Sequence, residues 1–234
     1  MHDPTRDDDG SSGRARSKPL QGAAAVPARA SAAASEEILV ALPSSREKLE
    51  PVSQIRSTVL TTSLKAMRDR GYGDRYLALL PAQYHEALRT CFAGAWLPIE
   101  IGLAHYEACD ALDLSTQEQF AIGKEVGLKI QGTFLGGMVK LARGVGVTPW
   151  LCMSKYQRLY ERLFVGGGVI VTKLGPKEAR IEALKLPLSR IPYFRTAFRG
   201  LNEASCELFC TKAYVEELRA LRTPTSLGYR ISWA

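Results

Sequence analysis

Catalysis and metal binding need groups that trade protons, donate electron pairs or hold ions in a fixed spacing, and this chain carries few of them. Its histidines are His2, His85 and His105, and its cysteines are Cys91, Cys109, Cys152, Cys206 and Cys210. No C-x-x-C pair, phosphate loop, Ser/His/Asp set or paired-carboxylate spacing occurs. An odd number of cysteines without tight pairs argues against both a disulfide scaffold and a zinc site. Cys206 and Cys210 stand four residues apart with no histidine near them and read as small buried residues. Cys109 and His105 have the same spacing, which on a helix brings a thiol beside an imidazole. No orienting acid accompanies them, so the chain reads as non-enzymatic, with no metal site.

Two other groups of residues suggest binding. Trp96, Trp150, Phe194 and Phe198 are candidates to line an apolar pocket, with Arg195 or Arg199 placed to meet a carboxylate or phosphate head. Lys173, Lys177, Arg180, Lys185 and Arg190 form a basic cluster, interrupted by Glu178 and Glu182. The chain has a net charge of +7, and residues 51–234 hold 24 of its 31 basic groups but 16 of its 24 acidic ones. Such an excess attracts nucleic acid or an anionic partner, although no nucleic-acid motif is present. The favoured function is therefore a sensor or interaction module that holds a small apolar ligand or a partner protein. A basic surface for nucleic acid or an anionic partner is the alternative.

These residues need a scaffold. Residues 1–50 are dominated by Ala, Ser, Pro, Arg and Asp, too poor in large apolar groups to offset the entropy of ordering, and read as a disordered tail or linker. The remainder, 51–234, reads as a single α+β domain. Asp7, Asp8 and Asp9 at the start do not suit a signal peptide, and no 18-residue apolar run occurs, so a cytoplasmic protein without a transmembrane segment is expected.

Apolar spacing predicts a helix over 52–70, a second over 81–92 and a third over 97–112 with a kink at Pro98. Ser115 and Glu118 form a capping box that opens a helix carrying Ile122, Val126 and Ile130. Gly123 and Gly127 in that helix, followed by Gly132, Gly136 and Gly137, suggest close helix approach or a break. Thr148-Pro149 starts another helix, with Lys155, Arg158 and Arg162 on one face, ended by Gly166, Gly167 and Gly168 as a left-handed cap. Val169–Leu186 reads as a hairpin, Ile191–Cys210 as a helix, and Tyr214–Leu221 with Tyr229–Trp233 as a second strand pair. The prediction is a set of N-terminal helices packed on a C-terminal four-stranded antiparallel sheet in ββαββ order.

Trp96-Leu97-Pro98, Gly146-Val147-Thr148-Pro149-Trp150, Leu174-Gly175-Pro176-Lys177-Glu178-Ala179 and Pro192-Tyr193-Phe194-Arg195 resemble segments of an uncharacterised protein family multiplied in myxobacterial genomes. That resemblance implies no reaction. The order of helices and strands is similar to the fold shared by haem-nitric-oxide sensors, vinyl-reductase-type sensing domains and subunits of the vesicle-tethering transport particle. This second resemblance implies an α/β domain with an apolar pocket and a homodimer. Its haem branch would need an axial histidine and a Tyr-x-Ser-x-Arg signature on the sheet. Here the strand reads Arg180-Ile181-Glu182-Ala183, and His105 is the one histidine suited to the axial role, so no cofactor is expected.

Overall fold

The computed structural model describes residues 36–134 and 148–234, with side chains described up to 130 and from 148. Residues 1–35 of the expected tail, together with Gly136, Gly137 and Gly146, lie outside the described residues. The unit Ala34–Ala234 is a mixed α+β domain, as the sequence predicts.

Ile55 and its neighbours begin as a strand, β2 (Gln54–Arg56), where the periodicity predicts helix. β2 pairs on one side with β3 (Trp96–Pro98) and on the other with β4 (Phe164–Val165), both antiparallel. A stretch of three residues is too short for its apolar period to be distinguished from the helix that follows it. That helix, α1 (Ser57–Asp69), buries Val59, Leu60, Leu64 and Met67. Short helices α2 (Gly73–Leu79) and α3 (His85–Thr90) follow. Pro98 does not kink a helix. It ends β3 and serves as N-cap of α4 (Ile99–Asp110), a position where its missing amide hydrogen costs nothing.

The capping box forms as expected. The Ser115 hydroxyl accepts from the Glu118 amide at 3.2 Å and the Glu118 carboxylate accepts from the Ser115 amide at 3.1 Å, opening α5 (Thr116–Phe134). Helices α6 (Pro149–Ser154) and α7 (Tyr156–Glu161) are separated at Lys155. Gly166 and Gly167 adopt the expected left-handed conformation, but after β4 and not directly at the helix end.

The main sheet has five strands, in the order β1-β5-β6-β8-β7, and every pairing is antiparallel. Four of them are predicted in kind: β5 (Gly168–Gly175), β6 (Glu178–Leu184), β7 (Ala213–Glu217) and β8 (Ser226–Trp233). The fifth, β1 (Glu37–Val40), comes from within the stretch expected to be tail, with Glu37 opposite Lys173 and Val40 opposite Val171. The ordered part therefore starts ahead of residue 51, and Leu49 is also buried. A lone Ile-Leu-Val run in an Ala/Ser/Pro context gives no alternation to mark it as a strand.

Helix α8 (Pro192–Glu207) crosses between this sheet and α5. It reaches the sheet through Phe198, whose ring lies 6.1 Å from that of Tyr229, and the Tyr229 hydroxyl donates to the Arg195 carbonyl at 2.7 Å. Against α5 the approach is backbone on backbone. A Cβ on Gly123 would sit 1.9 Å from the Ala197 carbonyl oxygen, and one on Gly200 would sit 2.2 Å from the Phe120 carbonyl oxygen. Of the two readings of the helix glycines, close approach is the one realised at Gly123 and Gly127.

Gly123→Ala and Gly200→Ala should each lower stability by about 3 kcal/mol or more, since overpacking a filled contact costs ~1–3 kcal/mol even when flexible side chains can yield. Gly175→Ala, whose added Cβ meets nothing closer than 3.8 Å, should change it by less than about 0.5 kcal/mol. Urea unfolding of the three variants gives the comparison, and equal midpoints would mean that the helices do not touch through their backbones.

Candidate functional site

The six aromatic and arginine residues expected to line one pocket occupy separate places. Trp96 lies under the Arg56 guanidinium, 3.7 Å from its ring centroid. Trp150 packs edge-on against Trp233 at 4.8 Å and donates its indole N–H to the Pro176 carbonyl at 2.9 Å, which fastens the hairpin turn. Phe194 and Phe198 stack on each other at 5.2 Å inside the core. Arg195 donates to the Ser189 and Arg190 carbonyls at 2.9 and 3.0 Å and faces Glu217 at 3.3 Å. Arg199 lies over the Phe120 ring at 4.9 Å. Only Phe194 and Phe198 of the six border the hollows described below.

The basic cluster is dispersed as well. Lys173 pairs with Glu37 at 3.6 Å, Arg180 with Glu36 and Glu182 at 2.9 Å, and Arg190 with Glu107 at 2.7 Å. Lys185 adopts a left-handed conformation at φ 60° and its carbonyl accepts from the Val52 amide at 2.8 Å, while the Lys177 carbonyl accepts from Trp233 at 3.2 Å. Acids from two other segments, with Glu182 of the run itself, pair with three members of what looks in sequence like one positive run.

The residues richest in chemistry are spent on the core. His105 is fully buried, with Nδ1 hydrogen-bonded to the Tyr76 hydroxyl at 2.7 Å and Nε2 to the Ser63 hydroxyl at 3.0 Å. Cys109 Sγ lies 3.7 Å from that same Nε2. The predicted Cys109–His105 pairing thus exists, but burial raises the thiol far above its usual range and pushes the imidazole down to about 3. A neutral imidazole beside a protonated thiol, both sealed from solvent, makes no nucleophile. Cys206 and Cys210 bring their sulfurs within 4.0 Å near the end of α8, and among the described residues no group of three His, Cys, Asp or Glu is arranged to hold a metal.

Empty space lies elsewhere, at the seam where α7 meets α5 and α8. A partly open hollow of about 30 Å³ is walled by Ile130 of α5, Tyr156, Tyr160 and Leu163 of the α7 segment, and Phe198 and Leu201 of α8. The Tyr156 hydroxyl donates to Asn202 Oδ1, and Asn202 in turn donates to the Phe198 carbonyl at 2.8 Å. The buried Tyr160 hydroxyl finds no such partner. Leu159 and Arg162 border this cavity and also a second, partly open groove of about 150 Å³ lined by Leu151, Cys152, Lys155, Arg158 and Phe209. Sequence reasoning places Lys155, Arg158 and Arg162 on one helix face. What it misses is that Leu151, Leu159 and Phe209, from two segments about fifty residues apart, lie beside that face.

No protein-family model matches the chain, and neither does any curated protein, so the myxobacterial resemblance gains no support there. Solved structures do match. An oxygen-binding H-NOX domain related to soluble guanylate cyclases, in its oxygen complex, is 15% identical with a TM-score of 0.52, over 76% of this chain and 95% of that one. An H-NOX protein from K. algicida, Fe(II) unliganded, is 9% identical with a TM-score of 0.56, over 77% and 97%. A structure concerned with modulating heme redox potential through protein-induced porphyrin distortion is 15% identical with a TM-score of 0.52, over 76% and 100%. At these identities the likeness is one of fold, and it agrees with the haem-nitric-oxide-sensor branch of the expected group.

This likeness overturns the expectation of no cofactor, which treated the domain as a scaffold without a prosthetic group, whereas the matching structures include one concerned with heme and one with bound Fe(II). The residues around His105 nevertheless do not fit a haem. Both ring nitrogens are taken, and the cavity beside Ser63 and Tyr106 measures about 20 Å³, room for a water molecule. His2 lies outside the described residues, and His85 is committed to the Leu80 carbonyl at 2.9 Å.

Two outcomes follow from the buried imidazole. The unfolded chain takes up a proton at His105 below pH ~6.5, while the folded chain resists it down to about 3. Stability is therefore full above pH ~6.5 and lost as pH falls through that window, by up to about 1.4 kcal/mol per unit. Urea midpoints measured from pH 7 to 4 should fall more steeply for the wild type than for His105→Gln, and parallel slopes would show that the imidazole titrates freely. Hemin titration gives the second outcome: any Soret band should be the same in wild type and His105→Gln, and its loss in the variant would make His105 a ligand after all.

Proposed function

We propose that this chain is a non-enzymatic sensor-type module that holds a small ligand with an apolar body at the seam of α7, α5 and α8. The observation that carries this reading is that two neighbouring hollows, of about 30 and 150 Å³, share Leu159 and Arg162 in their walls. Ligand sites are concave and mostly apolar with a few polar groups at one end, and the seam has this form. The wall residues come from three helices, and backbone contact sets the spacing of two of them, α5 and α8, so much of the wall is built on rigid elements.

The fold likeness supports the same reading, because two of the matching domains are described by what a small ligand does at them: oxygen in one, an Fe(II) centre without ligand in the other. Catalysis finds no support in the seam. Its polar groups are cations, one serine and tyrosine hydroxyls, and the Cys109–His105 pair faces inward on α4. Leu159 and Arg162 stand between the two hollows, where the side chain at 159 sets the width of the neck.

Native mass spectrometry of the purified full-length protein, followed by a thermal-shift screen of small apolar and amphiphilic compounds, tests the proposal. The expected result is a bound mass that disappears on denaturation, or a stabilising compound, with the effect reduced at least about tenfold in Leu159→Trp, where an indole fills the neck. A clean apo mass combined with an unresponsive melting temperature across the screen would overturn it.

A further inference from the structure

Many cations on this domain face a carboxylate, whereas two that line the groove, Lys155 and Arg158, form no ion pair among the described residues. Among the described residues, Lys65, Arg70, Lys124, Arg180, Arg190 and Lys212 all form ion pairs at 2.6–3.0 Å. Another arginine-lined depression, formed by Arg190, Arg195 and Arg222, is neutralised by Glu107 at 2.7 Å and by Glu217 at 3.3 and 3.4 Å. Lys155 and Arg158 enter no such pair, and the nearby Glu161 accepts instead from the Gln157 side-chain amide at 2.8 Å. Among the described residues, none that lines the groove is acidic.

We infer that the groove binds a small organic carboxylate whose apolar body is about the size of a benzene ring. This rests on the ligand-binding reading above and supplies its ligand class. Charge assigns the head group, since Lys155 and Arg158, in no ion pair among the described residues, line the groove with ammonium and guanidinium donors. Size assigns the body: the groove measures about 150 Å³, and a cavity of ~150 Å³ in another protein is known to take benzene. Shape agrees, because Leu151, Leu159 and Phe209 give the apolar wall against which a ring packs. A phosphate or a nucleotide would leave that wall unused, and a long acyl chain exceeds the volume.

Calorimetric titration of the full-length protein with benzoate, benzyl alcohol and benzylammonium, three probes of similar size and different charge, tests the inference. Benzoate should bind at least about tenfold more tightly than benzyl alcohol, the benefit of one charge-assisted contact, and benzylammonium should not bind. Lys155→Gln with Arg158→Gln should remove that preference while leaving benzyl alcohol binding unchanged, and added salt should weaken benzoate alone. Equal binding of benzoate and benzyl alcohol would overturn the carboxylate class and leave the pocket standing. Binding of none of the three, together with an unresponsive thermal screen, would overturn both.

Discussion

The contact between α5 and α8 is the constraint on which the rest of the domain depends. Two helices meet at the distance of their backbones only where side chains are absent, and Gly123 and Gly127 on one helix and Gly200 on the other supply that absence. With the axes so close, Ile122 and Val126 of α5 are pressed into the same core as Phe194, Phe198 and Leu201 of α8. Lys124 then spans the two helices, pairing with Glu203 at 2.8 Å and Glu207 at 2.6 Å from a position half-shielded from water. The opposite face of α8 lies on the sheet, so the position of α5 relative to the strands is transmitted through one helix.

That arrangement explains why chemistry and empty space are segregated. The imidazole of His105, the thiol of Cys109, the phenol of Tyr76 and the hydroxyl of Ser63 sit on α1, α2 and α4, joined to one another and closed off from solvent. A satisfied buried polar network of this kind rigidifies and specifies a packing, and it is costly to open. The seam at α7, by contrast, lies where the helical layer is broken at Lys155 and turns through Gly166 and Gly167 into the sheet. Hollows of about 30 and 150 Å³ lie at this junction, and Lys155 and Arg158 line the larger one.

Much of this was legible in the sequence and some was not, for identifiable reasons. Long periodic segments and local chemistry read well: the capping box at Ser115 and Glu118, the start at Thr148-Pro149 and the turn at Gly175-Pro176-Lys177 are all set by residues within four positions of each other. Strands of three or four residues did not, since Gln54–Arg56 and Glu37–Val40 gain their hydrogen bonds from partners 40 to 140 residues away. The site fared worst. Aromatic residues are a signal of packing before they are a signal of a pocket, and Trp96 and Trp150 were claimed by a guanidinium and a tryptophan that no spacing rule connects to them. The cations around α7 were visible as a face, yet whether a face is neutralised depends on acids brought by the fold, and among the described residues none pairs with Lys155 or Arg158.

The short strand β1 bears on how copies of this domain can meet. An uncovered row of backbone donors and acceptors invites another strand, and proteins blunt such edges with brief, irregular, charged strands. β1 has all three traits: four residues, a register shift between Ile38 and Val40, and Glu36 and Glu37 bound to Arg180 and Lys173. The opposite border, β7, is regular in its pairing with β8 and carries the exposed Tyr214. Of the two borders of this sheet, β7 is thus the one that a further strand would meet without a register shift or a pair of bound carboxylates in its way.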